Sequence, residues 1–234
     1  MKKISKAQVQ EYVAKNKLLM GNLQKPMLML TPDNEMIKSF FRKERLSTST
    51  FFPKAVRFAE NAKQLKKIGV LAPLPKEVMY CSEMAMHMVI YNRLPGTDLR
   101  VLNEGGDDTG IRGLPRYLAE LHTRGVMFRG IHLGNVLYLG KEVHQSYALV
   151  DISGMSIKKR QLRLWERMRN LINLLGVDDD KDIFDELGVN WFLSRYCRAA
   201  VLDSGQINYL QKRLTRKLKR KIEIDQGYPR AMKG

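Results

Sequence analysis

The chain has 234 residues, of which 44% are hydrophobic and 28% charged, a composition typical of a globular protein with a sizeable core. Its 41 Lys and Arg against 24 Asp and Glu give a net charge of +17, which favours polyanionic partners. Two cysteines, Cys81 and Cys197, are too few and too far apart for a disulfide framework or a zinc site. Because the sequence shows neither a signal peptide nor a membrane-spanning run, we expect buried thiols in a cytoplasmic protein, which can also rest on the inner membrane surface.

The first part of the chain is predicted to be rich in strands. Hydrophobic periodicity and turn residues indicate a helix with Ser5 as its N-cap, a β-hairpin, an amphipathic helix that stops at Gly69, and two further strands. The predicted ranges are 5–20 for the first helix, 27–30 and 35–41 for the hairpin around a Thr-Pro-Asp-Asn turn, 54–68 for the second helix, and 77–81 and 84–91 for the strands. The second helix is expected to turn four positions toward the core: Val56, Ala59, Ala62 (or Lys63) and Leu65.

The rest of the chain is predicted to be mostly helical. A helix ends near Gly125, a short hairpin of 136–139 and 147–150 turns at 140–142, and three apolar stripes predict further helices, the last capped by Ser204. The stripes are Leu162, Trp165, Met168, Ile172 and Leu175, then Trp191, Phe192, Arg195, Tyr196 and Ala199, then Ile207, Leu210, Leu214 and Leu218. This layout predicts an α+β fold, with an N-terminal helix and β-rich N-lobe over residues 1–93 and a helical C-lobe over residues 94–234.

A polar residue stands at each end of the second hairpin. Asn135 precedes its first strand and Asp151 follows the antiparallel partner, so their oxygens can converge on a divalent ion. Mg²⁺ prefers hard oxygen ligands and leaves room for phosphate oxygens. The alternative is that Asn135 is a solvated loop residue and Asp151 caps the next turn.

The residues around this pair resemble a known family. The run 128–135 (Phe-Arg-Gly-Ile-His-Leu-Gly-Asn) is similar to the catalytic loop His-Arg-Asp-x-x-x-x-Asn of protein-kinase-like folds, and 151–153 (Asp-Ile-Ser) stands where that fold keeps Asp-Phe-Gly. Together with the basic runs 158–160 and 167–171, it resembles the bacterial WaaP-like lipopolysaccharide core (Kdo/heptose) kinases, particularly relatives labelled toluene tolerance proteins. The resemblance implies a protein-kinase-like fold, ATP and Mg²⁺ as cofactors, and phosphoryl transfer to a sugar of lipopolysaccharide core.

The sequence departs from the family pattern where the catalytic base is expected. Gly130 replaces the Asp, Phe128 replaces the His, and Ser153 with Gly154 replaces Phe-Gly. We expect Arg129 to be a loop-ordering charge. His132 is the candidate substitute for the base or a contact of the γ-phosphate, because imidazole titrates near neutral pH. The alternative is a structural role for His132.

In the N-lobe, the resemblance predicts how the nucleotide phosphates are held. Lys38 lies between apolar residues of a predicted strand and corresponds to the strand Lys that binds the α- and β-phosphates. Glu60, on the helix at 54–68, is its candidate carboxylate partner. A solvent-facing Lys and a surface Glu are the alternatives. The Gly-rich phosphate loop is expected at the turn 31–34, which contains no glycine.

Basic residues cluster in the last third of the chain. The segment 158–169 carries several Lys and Arg, and seven more surround the apolar stripe of the C-terminal helix: Lys212, Arg213, Arg216, Lys217, Lys219, Arg220 and Lys221. They form either solvated helix faces or a surface for lipopolysaccharide core, another phosphorylated glycolipid, or the anionic membrane. Nucleic acid is disfavoured, because the sequence contains no recognisable nucleic-acid-binding motif.

Two functions therefore compete. The first is an atypical kinase that lacks the usual catalytic Asp. The second is a non-catalytic, pseudokinase-like scaffold in envelope biosynthesis, which Gly130 favours and the retained Asn135 and Asp151 disfavour.

Overall fold

The computed structural model describes residues 1–42, 53–140 and 145–225, so most of the predicted turn at 140–142 lies outside the described residues. The chain forms two compact units. The first consists of Met1–Pro95 and Ala148–Gly154, and the second of Gly96–Tyr147 and Met155–Gly234. Among the helices within the described ranges, none has both the length and the apolar composition needed to cross a bilayer.

Within its described residues, the first unit is built on a six-stranded sheet with the order β1-β5-β6-β4-β3-β2. All neighbouring strands are antiparallel except β1 and β5. The strands are β1 (Lys2–Lys3), β2 (Lys17–Gly21), β3 (Pro26–Leu30), β4 (Glu35–Phe41), β5 (Pro75–Cys81) and β6 (Met86–Asn92), and the helices are α1 (Lys6–Lys15) and α2 (Lys54–Lys67). The predicted hairpin, second helix and following two strands are confirmed.

The N-terminal helix is shorter than predicted. Ser5 is its N-cap, and Ser5 and Gln8 form a reciprocal capping box. The helix ends at Lys15, however, and the next residues form β2, which pairs with β3 while Leu18 packs against the core. The predicted helix over 5–20 is therefore wrong after Lys15, because strand pairing and burial outweigh local helix propensity.

The strand register divides the sheet's side chains between two faces. One face holds a buried cluster beside α1: Ile4, Val9, Met29, Ile37, Met79, Cys81, Met86 and Met88. The other face carries Lys38 and Phe40 of β4 and Tyr91 of β6. The ring centroid of Phe58 in α2 lies 6.1 Å from that of Phe40 and 5.4 Å from that of Tyr91. Helix α2 therefore packs on the sheet face that carries Lys38.

The buried stripe of α2 begins at Ala55, one residue earlier than predicted. Its buried residues are Ala55, Phe58, Asn61, Ala62 and Leu65. Ala62 and Leu65 are confirmed as core positions, whereas Val56 and Ala59 are half-buried and Lys63 is exposed. The large ring of Phe58 sets this register, because it fills the space between the sheet and the helix.

Helices predominate in the described part of the second unit. They are α3 (Leu99–Glu104), α4 (Thr109–Thr123), α5 (Leu164–Leu175), α6 (Lys181–Leu187), α7 (Val189–Ala199) and α8 (Ser204–Leu218). Short antiparallel pairs accompany them: β7 (Thr97–Asp98) with β9 (Val136–Tyr138), and β8 (Val126–Phe128) with β11 (Met155–Ile157). β10 (Tyr147–Leu149) leads into the segment that belongs to the first unit.

Residues Ala148–Gly154 belong to the first unit, whereas the sequence prediction groups them with residues 94–234. The Leu149 amide donates to the Leu71 carbonyl at 2.9 Å, and side chains of α2 donate to the carbonyls of Ile152 and Ser153. These long-range hydrogen bonds attach the segment to the first unit, and a local sequence pattern does not reveal them.

The predicted helix stripes of the second unit need correction at several positions. Trp165 is 48% exposed, because α5 instead buries a stripe that contains polar residues: Glu166, Arg167, Asn170, Leu171, Leu174 and Leu175. In α7, Phe192 and Tyr196 are buried as predicted, whereas Arg195 and Ala199 are exposed. The N-cap of α8 is Asp203 rather than Ser204, since its carboxylate accepts from the Gln206 amide at 2.8 Å.

Both cysteines are buried, as predicted. Burial raises the pKa of the Cys197 thiol to about 12, which keeps this group protonated and unreactive at neutral pH.

Candidate active site

In the first unit, Lys38 and Asp151 form an ion pair. Lys38 Nζ lies 2.8 Å from Asp151 Oδ1, and both side chains are partly exposed. Asp151 adopts a left-handed backbone conformation with φ 51°, which is uncommon for a residue other than glycine. Such conformations are retained where the surrounding structure enforces them, often at functional sites. The pair thus places a cation and a carboxylate side by side on the α2 face of the sheet.

Glu60 lies elsewhere on α2. Its carboxylate is 3.5 Å from Lys63 Nζ, and both side chains are more than half exposed. The residue that α2 buries beside it is Asn61, whose Nδ2 donates to the Ile152 carbonyl at 2.7 Å. Arg57, one turn earlier, donates through Nε and Nη2 to the Ser153 carbonyl at 3.1 and 2.9 Å. In this structure Lys38 is therefore paired with Asp151, and α2 contacts the turn that follows Asp151.

The connection from β2 to β3 begins after a glycine, Gly21, whereas the turn 31–34 contains none. Gly21 has φ 94°, and an added Cβ would lie 2.3 Å from the Lys25 carbonyl oxygen, so only glycine fits without rearrangement. Asn22 Oδ1 accepts from the amides of Gln24 and Lys25 at 3.1 and 2.8 Å. Because β2 was predicted as helix, this first hairpin and its glycine were missed.

In the second unit, the loop 128–135 is held by its own side chains and by α5. Asn135 Nδ2 donates to the Gly130 carbonyl at 2.8 Å. The backbone N–H of Asn135 donates to the His132 carbonyl at 3.0 Å. Arg129 is exposed, and its carbonyl accepts from Asn173 Nδ2 at 2.9 Å. The bond to Gly130 uses the amide nitrogen of Asn135, so the amide oxygen is the atom that a metal ion would contact.

A buried polar network anchors the start of this loop. Asn170 Nδ2 donates to the Phe128 carbonyl at 2.6 Å, and Asn170 Oδ1 accepts from the Phe128 amide at 3.3 Å. His122 Nε2 lies 3.0 Å from the same Oδ1, and Nδ1 lies 2.8 Å from Tyr196 Oη. Burial lowers the pKa of His122 to about 3, so the ring is neutral and donates from Nε2 while accepting from the Tyr196 hydroxyl. His122 therefore has a structural role in this network.

A buried carboxylate anchors the middle of the loop. Asp180 is fully buried, and its Oδ2 accepts from the Leu133 amide at 2.8 Å. Its Oδ1 pairs with Arg100, at 2.8 Å from Nε and 2.7 Å from Nη2. Sequence analysis missed Asn170, Asp180 and Arg100. The available signal for Asn170 was a polar residue on the apolar stripe of α5.

His132 and Gly130 have different surroundings. His132 is half-buried, and its ring would lie 3.3 Å from a Cβ added at Gly134, so position 134 must stay small or the ring must move. Gly130 is exposed, and a Cβ there would meet only Phe128 Cε2, at 3.7 Å. A side chain at position 130 is therefore sterically acceptable, and glycine is not needed for packing.

Part of the basic run 158–167 is structural. The buried Glu166 accepts from Arg160 Nη1 at 2.7 Å and lies 2.9 Å from Lys158 Nζ. The hydrogen bond from Arg160 is the largest of the effects that lower the pKa of Glu166 to about 2. By contrast, four cations of α8 (Lys212, Arg213, Arg216 and Lys217) are exposed. Of its predicted apolar stripe, Ile207, Leu210 and Leu214 are buried and Leu218 is half-buried.

No protein-family model matches the sequence, and no curated protein matches it. Among solved structures, the chain is similar to WaaP in complex with acyl carrier protein, with 15% identity and a TM-score of 0.53 over 90% of this chain and 92% of that chain. It also matches WbdD bound to a kinase inhibitor (15% identity, TM-score 0.47, 82% of this chain and 43% of that chain) and the bifunctional kinase-methyltransferase WbdD (13%, 0.41, 80% and 46%). The two WbdD likenesses are too weak to support an argument.

The likeness to WaaP, together with the strand-rich first unit and the helical second unit, confirms the predicted α+β, protein-kinase-like fold. Among residues 1–42, 53–140 and 145–225, no group of three or more His, Cys, Asp or Glu side chains could hold a metal ion.

Proposed function

We propose that the protein transfers a phosphoryl group from ATP, with Mg²⁺, to a sugar of bacterial lipopolysaccharide core. The observation that carries the proposal is the Lys38–Asp151 pair, at 2.8 Å, in a protein-kinase-like fold. Such a pair offers one cation for phosphate oxygens and one carboxylate for a metal ion. The choice of lipopolysaccharide core as acceptor rests on the sequence resemblance of residues 128–171, as does the closer likeness to toluene tolerance proteins.

The surroundings of Lys38 suit a nucleotide. Leu28 lies directly opposite Lys38 in the β3–β4 register, and the half-buried Met36 projects from the same face two residues away. Apolar side chains beside a cation match a flat base linked to phosphates.

The remaining predicted site residues keep the roles that the resemblance implies. Asp151 and the amide oxygen of Asn135 are the proposed ligands of Mg²⁺, which when bound would neutralise phosphate charge. Lys38 would hold the α- and β-phosphates, and Glu60 remains a proposed partner of that Lys after a movement of α2. Arg129 would order the loop.

The acceptor hydroxyl has no carboxylate base at position 130. Phosphoryl transfer depends mainly on positioning and electrostatics, so activity without this base is compatible with the chemistry. His132 is the proposed substitute, because a neutral imidazole can accept the hydroxyl proton. Gly130 favours the second candidate function, a nucleotide-binding scaffold without transferase activity.

The exposed cations of α8 are the proposed contact for an anionic partner. Between Asp203 and Glu223 the sequence has no acidic residue, so no carboxylate of α8 offsets the cations at 212–217. The phosphates of core glycolipid or of an anionic membrane surface would be attracted to it. We therefore propose a cytoplasmic protein that works at the inner membrane surface.

Nucleotide binding by calorimetry, with and without Mg²⁺, tests the proposal. We expect wild-type protein to bind Mg-ATP, and Lys38→Met and Asp151→Asn each to weaken binding about tenfold or more. Only Asp151→Asn should also reduce the dependence on Mg²⁺. Asp182→Asn, an exposed carboxylate on α6, is the matched control and should bind normally.

Transfer is then tested with γ-labelled ATP and purified core oligosaccharide. Label in the sugar that disappears in Asp151→Asn supports the kinase. Mg-ATP binding without transfer to any core acceptor supports the scaffold, and no nucleotide binding by the wild type overturns both.

A further inference from the structure

Two side chains of α2 hold the turn that follows Asp151. Asn61 Nδ2 donates to the carbonyl of Ile152 at 2.7 Å. Arg57 donates through Nε and Nη2 to the carbonyl of Ser153, at 3.1 and 2.9 Å. The acceptors are consecutive carbonyls of a 3₁₀ turn, Ile152–Gly154. The donors stand four residues apart, so they project from the same side of the helix.

We infer that Arg57 and Asn61 are positioning residues for Asp151, an inference that rests on the proposed function of that carboxylate. They act through the backbone of the turn at 152–154. They fix the direction in which the chain leaves Asp151, and thereby the position of its carboxylate beside Lys38.

The backbone conformation of Asp151 explains why such a restraint is needed. Its φ of 51° is disfavoured for a non-glycine residue, so the chain relaxes from it unless neighbouring contacts prevent the change. The carbonyls captured by α2 belong to the next two residues, where a rotation at Asp151 would first displace the chain. The two donors therefore oppose the relaxation directly.

The polar character of these positions is not needed for packing. Ala55, Phe58, Ala62 and Leu65 already supply the apolar contacts of α2, yet position 61 holds an amide that is only 7% exposed. A buried amide requires partners, and the Ile152 carbonyl is one of them. Since carbonyls are neutral acceptors, this restraint does not depend on the protonation state of any carboxylate in α2.

This arrangement assigns α2 a role that Glu60 does not fill in this structure. The helix contributes hydrogen-bond donors to the segment after Asp151, while the Glu60 carboxylate lies beside Lys63. Lys38 is then oriented through Asp151. The position of the Asp151 carboxylate consequently depends on Arg57 and Asn61, whereas Lys38 is held by strand β4.

Hydrogen exchange of the nucleotide-free protein tests the inference without relying on catalysis. The variants are Arg57→Ala, Asn61→Leu, which keeps the side-chain volume but removes the donor, and the partial rescue Arg57→Lys. We expect the amides of residues 151–154 to exchange about tenfold faster or more in the first two, since Asn61→Leu removes one hydrogen bond and Arg57→Ala removes two. The increase should be smaller in Arg57→Lys. Gln64→Ala and Lys66→Ala, on exposed positions of α2, are the controls and should leave this exchange unchanged.

Calorimetry provides the second readout. Arg57→Ala should weaken binding of Mg-ATP about tenfold while changing metal-free ATP binding much less, because the misplaced group is the metal-binding carboxylate. Since Arg57 is exposed, its variants should fold even if Asn61→Leu does not.

Unchanged exchange at 151–154 in Arg57→Ala overturns the inference, as does an equal loss of ATP binding with and without Mg²⁺. If exchange accelerates but the wild type binds no nucleotide, the restraint on Asp151 is supported and the proposed function fails. The two ideas can therefore fail separately.

Discussion

Tyr196 and His122 share a buried hydrogen bond of 2.8 Å between the phenol oxygen and Nδ1. The bond fixes the tautomer of His122, so that the opposite nitrogen donates to Asn170, which in turn holds both backbone groups of Phe128. A helix-to-helix contact in the second unit thus controls the entrance of the loop 128–135. Each member of this chain depends on a neutral imidazole.

Protein stability should therefore fall on mild acidification. His122 has its pKa lowered from 6.5 to about 3, so between these values the unfolded chain binds a proton that the folded protein does not. We expect the free energy of unfolding to decrease by up to about 1.4 kcal/mol per pH unit as the pH falls below 6.5. Urea unfolding at several pH values between about 7.5 and 5 measures this slope.

The variant His122→Gln should show a smaller slope, although its overall stability will be lower. His87→Gln is the comparison, because burial also lowers the pKa of His87 but the side chain is only half-buried. The measured pH range, about 7.5 to 5, lies above the region in which Glu166 contributes. The stabilisation from Glu166 is lost only as the pH falls from 4.5 toward 2. Equal slopes for wild type and His122→Gln would contradict the assignment.

Restoring a carboxylate at position 130 should increase transfer. A Cβ added there would lie at an ordinary contact distance from Phe128 Cε2, at 3.7 Å, so Gly130→Asp should fold normally. If proton removal from the acceptor limits the rate, kcat should rise by about 10²-fold or more. Gly130→Asn is the matched control, since it has nearly the same shape but cannot act as a base. Equal rates for Asp and Asn at this position would show that the missing base is not limiting.

Replacement of Gly21 should affect stability more than replacement of a glycine in open space. Gly21→Ala adds a Cβ 2.3 Å from the Lys25 carbonyl at a positive φ, and we expect a loss of about 2–4 kcal/mol. Gly106→Ala, with φ 83° and no neighbour within 4 Å, isolates the conformational cost and should lose about 1 kcal/mol. Denaturant unfolding compares them, and equal losses would argue against the tight turn.

The basic face of α8 should bind anionic vesicles in a salt-dependent manner. The double variant Lys212→Gln/Arg216→Gln removes two exposed cations and should weaken binding to phosphatidylglycerol vesicles about 30-fold, at about 1 kcal/mol per charge. The double variant Lys66→Gln/Lys67→Gln on α2 is the control, because it removes the same number of positive charges. Co-sedimentation at low and high salt measures the effect, with phosphatidylcholine vesicles as the uncharged surface. Equal losses for both double variants would show that net charge, rather than α8, determines binding.

Local patterns predicted much of the framework around the site. The hairpin that carries Lys38, the helix α2 and the strand that precedes Asp151 all follow from periodicity and turn residues. The strand β2 was missed because its residues, taken alone, are not typical of a strand. Their pairing with β3 is what makes them one. The stripe of α5 was misplaced because its buried positions include Glu166, Arg167 and Asn170, each of which makes side-chain hydrogen bonds inside the protein.

The contacts that organise the candidate site could not be predicted because they join distant positions. Asn61 bonds a carbonyl 91 residues away, Arg100 a carboxylate 80 residues away, and Leu133 the same carboxylate at a separation of 47. A single sequence offers no periodic or turn signal for such pairs. It offers only unexplained polar residues on otherwise apolar stripes, of which Asn61 and Asn170 are examples.

The pairing of Lys38 with Asp151 makes anion and cation binding interdependent. An anion that attracts Lys38 removes the counter-ion of Asp151 and so increases the affinity of that carboxylate for a cation. By thermodynamic reciprocity, a cation bound to Asp151 must increase the affinity of Lys38 for the anion by the same factor. A ligand that brings both charges compensates both members of the ion pair at once. Under the proposed function, this contact would therefore favour metal-bound anions over free ones.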